Sequence, residues 1–148
     1  MIQFHAERIS PDLIEEVLPL ADIHFTEVDP FPELEANYTP NFYLLNNEHF
    51  RVYTARERER LVGYAFFVVQ KHPHYDNSLQ AQQDLLFLLP EARWGLTGLS
   101  FMKFCDEELK KEGVQVIYHY SSHHRDIGPL LQRIGYEPIQ TIYGKKVA

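Results

Sequence analysis

One stretch decides the fold of this chain: Leu85-Leu86-Phe87-Leu88-Leu89-Pro90-Glu91-Ala92-Arg93-Trp94-Gly95-Leu96-Thr97-Gly98. An apolar run ends at Pro90, and a short loop with one basic residue and two glycines follows. A helical pattern then begins at Leu99 and continues to Leu109. A strand, a tight loop and a helix in this order aim free backbone N–H groups and the positive end of the helix at one point, which favours an anion, typically a phosphate. The sequence therefore predicts an anion-binding loop here.

The segments on either side of this stretch predict a mixed α/β fold. Ser10 and Pro11 provide a helix start, whereas Pro19 predicts a kink or an early end of that helix. Three consecutive strands followed by one strand–helix–strand crossover argue against a doubly wound nucleotide fold. We expect one domain over residues 1–148, with a central, mostly antiparallel sheet. Strands are predicted at 2–9, 50–56, 61–70, 82–89, 114–120 and 136–147, and helices at 10–25, 41–45, 96–111 and 126–133.

The composition is that of an ordinary globular protein, and it limits the partners. Hydrophobic residues make up 45% and charged residues 24% of the chain, which is typical of a folded rather than a disordered protein. A net charge of −7 argues against general nucleic-acid binding, because such binding needs a basic surface. No apolar run approaches the roughly 18 residues of a membrane span. The single cysteine, Cys105, excludes an intrachain disulfide and predicts a reducing, cytoplasmic setting.

The element order and the loop resemble the GNAT superfamily of acyl-CoA-dependent N-acyltransferases. In that family a Pro-Glu pair ends the fourth strand, and a loop of the form Arg/Gln-x-x-Gly-x-Gly/Ala holds the pyrophosphate of the acyl donor. Here Pro90-Glu91 is present, Arg93 matches the first position of the loop and Gly98 matches the last. Gly135-Tyr136 after a short helix matches a second family signature. The resemblance implies a sheet with a V-shaped split between the fourth and fifth strands, and it looks closest to small members encoded by bacteriophages.

The resemblance also implies that acetyl-CoA is the acyl donor and names the residues that bind it. The pantetheine arm and the oxyanion would meet the backbone near Leu88 or Leu89. Ser122 and Arg125 are candidates for contacts with the CoA phosphates, and the alternative is that they cap the last helix. The pyrophosphate would lie on the loop residues Arg93, Trp94, Gly95, Leu96, Thr97 and Gly98.

Two positions depart from the family pattern. Leu96 stands where the middle glycine of the loop is expected, although Gly95 lies one residue earlier. Leu131 stands where many members carry a tyrosine that protonates the departing CoA thiolate. These departures leave open either a shifted path for the donor or a loss of binding.

Three residues are candidates for the proton transfers that acyl transfer to an amine requires. Asp84 is the only acid in an apolar strand, at a place where many family members carry a carboxylate base, and a dry environment would raise its pKa. His119, at the end of the fifth strand, is a base suited to neutral pH. Tyr120 is placed to supply the proton that Leu131 does not. The alternative for Asp84 is a strand-start residue that faces water or caps a neighbouring loop, and for His119 and Tyr120 it is an ordinary polar strand end.

The region after the first helix predicts the acceptor site. It is acidic and rich in tyrosine, which suits a cationic amine acceptor, either a small molecule or a protein. A solvated acidic loop is the alternative. The residues expected to contact the acceptor are Glu27, Asp29, Tyr38 and Tyr43.

Two other functions stay open. Leu96 and Leu131 favour a GNAT-like interaction protein without catalysis. The pairs His72/His74 and His119/His123 have the spacing of metal ligands, but no cysteine or glutamate pattern supports a zinc site, and we expect no metal. The resemblance also allows a homodimer, although no apolar stripe predicts one.

Overall fold

Nine regular elements make up the part of the chain that the computed structural model describes, residues 1–34 and 39–148. Short 3-10 turns at Asn47–His49 and Pro90–Ala92 join some of them. The strands are β1 (Ile2–Glu7), β2 (Phe50–Glu57), β3 (Arg60–Lys71), β4 (Leu79–Leu88) and β5 (Val116–Tyr118), and the helices are α1 (Pro11–Val28), α2 (Pro40–Leu45), α3 (Thr97–Lys111) and α4 (Gly128–Arg133).

The strands form one mixed sheet in the order β1-β2-β3-β4-β5. The first three pairings are antiparallel, and β5 lies parallel to β4 after the α3 crossover. Only Gln80–Gln82 of β4 pair with β5, whereas β4 continues against β3 as far as Leu88. The two strands therefore separate after Gln82 and Tyr118. This confirms the predicted mixed fold and its V-shaped split.

Helices cover both faces of the sheet because its central strand is apolar on both sides. Phe66 of β3 packs edge-on against Tyr43 of α2, with ring centroids 5.3 Å apart. The next residue, Phe67, faces the other way and lies 6.0 Å from Tyr53, which in turn contacts Phe104 of α3. Successive side chains of a strand point to opposite faces, so α1 and α2 lie on one face and α3 and α4 on the other.

Helix α1 begins where the sequence predicts and ends later than predicted. The Ser10 Oγ accepts a hydrogen bond from the Leu13 N–H at 3.1 Å, and Pro11 takes the first helical position. The helix continues through Pro19 to Val28. Pro19 lies on the exposed face, where water can satisfy the carbonyl that the missing N–H leaves free. The three added residues carry the helix up to the mouth of the split.

A β-bulge interrupts the pairing of β3 with β4. Phe66 is opposite Leu85 and Phe67 is opposite Gln83, so Asp84 is the extra residue of β4. A bulge bends its strand and redirects a side chain. Asp84 therefore departs from the alternation of β4 at the point where β4 and β5 separate.

The predicted last strand is wrong. Residues 136–148 are all described, and they contain no strand. Pro138 cannot donate to a ladder, and β5, the neighbour that this strand needed, is only three residues long. The segment instead crosses back toward α1, where Gly144 lies close to the ring of Phe31.

Candidate functional site

A cavity of about 670 Å³ fills the split between β4 and β5. Residues 83–88 of β4 form its floor, and the last turns of α1 form one wall. The rest of the lining comes from the loop before α3, the first turns of α3, the segment from Tyr120 to Arg125 and the region of α4, together with Pro30 and Ile142. The loop predicted to bind an anion, the separating strands and the end of α1 therefore meet in one place.

The loop presents the N-terminus of α3 to this cavity. Gly95 has a φ of +63°, which glycine adopts without strain. Leu96 takes the N-cap position, and no side chain caps the helix there, so the N–H groups of the first turn are left for another acceptor. Gly95, Leu96 and Gly98 all line the cavity. The displaced glycine thus makes the tight turn one residue earlier, and Leu96 does not close the loop.

Among the described strands, the backbone of β4 beyond Gln82 has a neighbour on only one side, β3. The Leu89 N–H donates to the Val62 carbonyl at 2.8 Å, and in an antiparallel pair every second residue bonds to the same neighbour. Leu85 and Phe87 therefore face β3, whereas Leu86 and Leu88 direct their N–H and carbonyl groups into the split.

This register supports Leu88 as a backbone partner and excludes Leu89. The Leu88 carbonyl already turns to the split side, where it accepts from Arg93 Nε at 2.7 Å. The N–H of Leu89 is occupied by β3 and faces away from the cavity, so the prediction of Leu89 as a backbone partner is wrong. Leu86, which no sequence motif identified, directs its backbone groups into the split instead, because the bulge and the register decide which residues face it.

Arg93 and Glu27 neutralise each other at the cavity wall. The Arg93 Nη2 donates to Glu27 Oε2 at 2.7 Å, and its guanidinium lies 5.3 Å from the ring centre of Phe87. Arg125 is a second cation near Glu27, with Nε 3.8 Å from the same carboxylate oxygen. Glu27 is therefore not a free acidic contact for a cationic acceptor, and Arg93 ties the loop to α1. The contact of Arg93 with a pyrophosphate stays a prediction.

Asp84 and Tyr43, predicted separately as base and acceptor contact, are hydrogen-bond partners. The Tyr43 Oη donates to Asp84 Oδ2 at 2.7 Å. Asp84 keeps part of its surface exposed, but desolvation by the surrounding protein raises its pKa, and the hydrogen bond from Tyr43 opposes that rise. Asp84 also lines the cavity, so it is a carboxylate with raised basicity at the site.

His24 is a cavity residue that the sequence analysis missed. It is 6% exposed, its Nδ1 lies 3.0 Å from Tyr64 Oη, and its ring stacks on Phe87 at 4.9 Å. Burial lowers its pKa to about 4, so the ring is neutral at pH 7. The sequence did contain a signal for its burial, because His24 lies three residues after Ala21 on the apolar face of the helix.

His119 does not line the cavity, but it contacts a residue that does. Its Nδ1 lies 2.7 Å from Gln83 Oε1, and Gln83 is a cavity residue. Burial lowers the pKa of His119 to about 4, which makes it a weak base. Tyr120, in contrast, lines the cavity directly.

The remaining predicted residues divide between the cavity and its surroundings. Ser122 and Arg125 line the cavity. Asp29 lies in an adjoining groove and its Oδ1 accepts from the Phe31 N–H at 2.8 Å. Trp94 is 73% exposed, and neither it nor Thr97 is part of the cavity lining. Tyr38 lies outside the described residues.

Two classes of site have no counterpart in the described part of the chain. Within residues 1–34 and 39–148 no helix is both long and apolar enough to cross a membrane. The same residues contain no group of three or more His, Cys, Asp and Glu side chains gathered to hold a metal ion.

Comparison with solved structures identifies the fold. An aminoglycoside acetyltransferase from an uncultured soil metagenomic sample, in complex with trehalose, superposes with a TM-score of 0.74 at 12% identity, over 98% of this chain and 96% of the other. The chain has the GNAT acetyltransferase fold. A ribosomal-protein-alanine N-acetyltransferase from Brucella melitensis biovar Abortus 2308 matches at 0.73 and 13% identity, over 100% of both chains.

A third match is to a structure that contains acetyl-CoA. A "predicted acetyltransferase with acetyl-CoA" from Clostridium acetobutylicum matches with a TM-score of 0.74 at 13% identity, over 99% of this chain and 97% of the other. No protein-family profile and no curated protein sequence matches this chain. At these identities the comparison establishes the fold, and the activity has to be argued from the site.

Proposed function

We propose that this protein is an N-acyltransferase that transfers the acetyl group of acetyl-CoA directly to an amine bound in the same complex. The observation that carries the proposal is the pair of adjoining backbone sites in the split. The uncapped N-terminus of α3 offers N–H groups to an anion. The unpaired side of β4 offers the N–H and carbonyl groups of Leu86 and the N–H of Leu88.

These two sites match the two parts of the donor. A pyrophosphate suits the N–H groups and the positive end of α3. The pantetheine arm contains amide groups, and an extended amide chain binds an open strand edge as an added strand would. Because the loop lies at the end of β4, the arm runs from Leu88 back toward the bulge at Asp84.

Asp84 is the group proposed to take the proton of the amine. The reaction forms a C–N bond between the amine nitrogen and the thioester carbon, and it breaks the C–S bond to release the CoA thiolate. The amine has to lose a proton, and a carboxylate whose pKa is raised by burial is a better acceptor than an ordinary surface carboxylate. The thiolate takes up a proton from Tyr120, which also lines the cavity, or from water.

Calorimetric titration of acetyl-CoA, with CoA and ATP as comparison ligands, tests this proposal. We expect micromolar binding of acetyl-CoA and CoA, and much weaker binding of ATP, which lacks the pantetheine arm. Absence of binding by wild type would contradict the proposal and leave the fold as an interaction module.

A matched pair of variants at Gly98 tests the placement of the pyrophosphate. Gly98→Pro removes one N–H in the first turn of α3, where proline is tolerated, and we expect it to abolish binding. Gly98→Ala keeps the N–H, and the added Cβ meets only Leu88 Cδ1 at 3.8 Å, so it should bind as wild type does. Circular dichroism checks that both variants fold. Equal affinity of the proline and alanine variants would overturn this placement.

A further inference from the structure

We propose that Gln83 is a catalytic hydrogen-bond donor to the thioester of the acyl donor, and that His119 is the positioning residue that holds it. This inference rests on the proposed function. It assigns a role to a glutamine that no sequence motif singled out and to the one described histidine that is packed behind the cavity wall.

Gln83 lies where the reacting end of the donor would come to rest. The last paired residues of the two strands are Gln82 and Tyr118, so Gln83 is the first residue of β4 beyond the closed part of the sheet. It lines the cavity and is followed immediately by the bulge residue Asp84. A donor whose phosphates lie at residues 95–98 and whose arm runs along β4 reaches the apex of the split with its thioester.

The amide of Gln83 is oriented by a single hydrogen bond. His119 Nδ1 lies 2.7 Å from Gln83 Oε1, and a carbonyl oxygen only accepts, so Nδ1 carries the proton. The Gln83 Nε2 is left with both of its N–H donors, and it has no protein partner among residues 1–34 and 39–148. The amide therefore presents a donor rather than an acceptor toward the cavity.

The packing of His119 fixes the direction of that bond. Its ring meets Phe67 at 5.5 Å and Tyr136 at 4.9 Å, both edge-on. Its Nε2 is buried without a hydrogen-bond partner in the described chain. A buried acceptor without a partner lowers the stability of the fold, so the position of this ring is not explained by its own hydrogen bonding. Orienting the amide of Gln83 is a function that accounts for this arrangement.

The chemistry of the proposed reaction needs such a donor. Negative charge develops on the thioester oxygen when the amine attacks and passes to the sulfur when the C–S bond breaks. Leu131, buried and apolar, replaces the hydroxyl that many GNAT proteins would supply nearby. Gln83 gives no proton in this scheme: it donates a hydrogen bond, while the amine proton goes to Asp84.

A comparison of two ligands and four variants tests the inference by calorimetry. Acetyl-CoA has the thioester oxygen and CoA lacks it, so the ratio of their affinities isolates this contact. Gln83→Met keeps the shape of the side chain and removes its N–H groups. We expect it to weaken the binding of acetyl-CoA roughly 3- to 10-fold, which corresponds to one neutral hydrogen bond. The affinity for CoA should stay unchanged. Gln82→Met is the matched control, because Gln82 is exposed and does not line the cavity.

Variants of His119 separate positioning from packing. His119→Phe keeps the aromatic contacts but removes the Nδ1–H. As in Gln83→Met, we expect the affinity for acetyl-CoA to fall relative to the affinity for CoA. His119→Asn places an amide N–H near the position of Nδ1 and should restore the relative affinity for acetyl-CoA.

The outcomes distinguish this inference from the proposed function. If Gln83→Met loses affinity for both ligands equally, or for neither, the role of Gln83 is overturned and the acyltransferase proposal stands. Equal affinities in His119→Phe and His119→Asn would overturn the positioning role. If wild type binds neither ligand, the proposed function is overturned, and this inference falls with it.

Discussion

At the scale of single residues, the proposed reaction depends on Asp84, and a bulge decides its position. Sequence spacing placed a carboxylate near the reacting end of β4, but it did not place the hydroxyl of Tyr43 within 2.7 Å of it. Two influences act on the pKa of Asp84: burial raises it, and the Tyr43 hydrogen bond lowers it. The balance between them sets the pH range in which Asp84 can accept a proton.

Removal of the Tyr43 hydroxyl should move the pH dependence of acyl transfer. The base form of Asp84 exists above its pKa, so kcat/KM falls as the pH drops through that value. Tyr43→Phe removes the influence that lowers the pKa, and we expect the acidic limb of the kcat/KM profile to shift to higher pH. Asp84→Asn should lower kcat by about 100-fold while acetyl-CoA affinity is kept.

Tyr75→Phe is the control for this experiment, since Tyr75 lies in the exposed turn between β3 and β4. An acidic limb that stays in place in Tyr43→Phe would show that Asp84 is not the titrating base. The amine used is whichever acceptor wild type acetylates.

At the scale of elements, β4 carries most of the site, because its two sides have different neighbours. One side is fully paired with β3, and the other pairs with β5 only at Gln80–Gln82. The continuous apolar run predicted a central strand. It did not predict where the neighbouring strand would end, and that end creates the cavity.

Amide hydrogen exchange measured by NMR should report this asymmetry residue by residue. Without ligand, the amides of Leu85 and Phe87 are protected by β3, whereas those of Leu86 and Leu88 face the split. We expect acetyl-CoA to slow exchange at Leu86 and Leu88 by about 10-fold or more and to change Leu85 and Phe87 little.

ADP is the control ligand, because it has a pyrophosphate but no pantetheine arm. It should leave Leu86 unaffected. Protection of Leu85 and Leu86 to the same extent by acetyl-CoA would contradict the proposed path of the arm and indicate a general stiffening of β4.

At the scale of the whole molecule, two neutral histidines lie on opposite faces of the sheet, His24 buried and His119 partly buried. His24 packs with Tyr64 and Phe87 on the α1 face, and His119 packs with Phe67 and Tyr136 on the other face. Burial lowers the pKa of each to about 4. Both therefore link the stability of the fold to pH.

The free energy of unfolding should fall as the pH drops from about 6.5 toward about 4. Over this range the unfolded chain binds a proton at each histidine and the folded chain does not, so stability rises with pH. We expect His119→Asn to reduce the loss between pH 6.5 and 4.5 by on the order of 2 kcal/mol relative to wild type. Urea unfolding of both proteins at each pH measures the free energy of unfolding.

His74→Asn is the matched control, since His74 is exposed in the turn after β3. Asp84 and Asp106, whose pKa values burial raises, are unchanged in both variants, so their contribution cancels in the comparison. A pH dependence of His119→Asn equal to that of wild type would refute the burial of a neutral His119.

The sequence by itself determined most of the elements and their order, up to α4, because these follow from local patterns. Ser10 and Pro11 start α1, the glycine at Gly95 turns the loop, and apolar runs mark the central strands. The loop before α3 belongs to this class as well, because the order of loop and helix follows from neighbouring residues along the chain.

Only the tertiary structure decided which groups face the cavity. The bulge at Asp84, the early end of β5 and the pairing of Leu89 with Val62 arise from contacts between distant segments. Local preference could not supply them: it predicted a last strand at 136–147 that has no partner to pair with, and it missed His24 and Leu86. Register and pairing depend on the neighbouring strand, and a shift of one residue exchanges the groups that face the ligand for those that face the sheet.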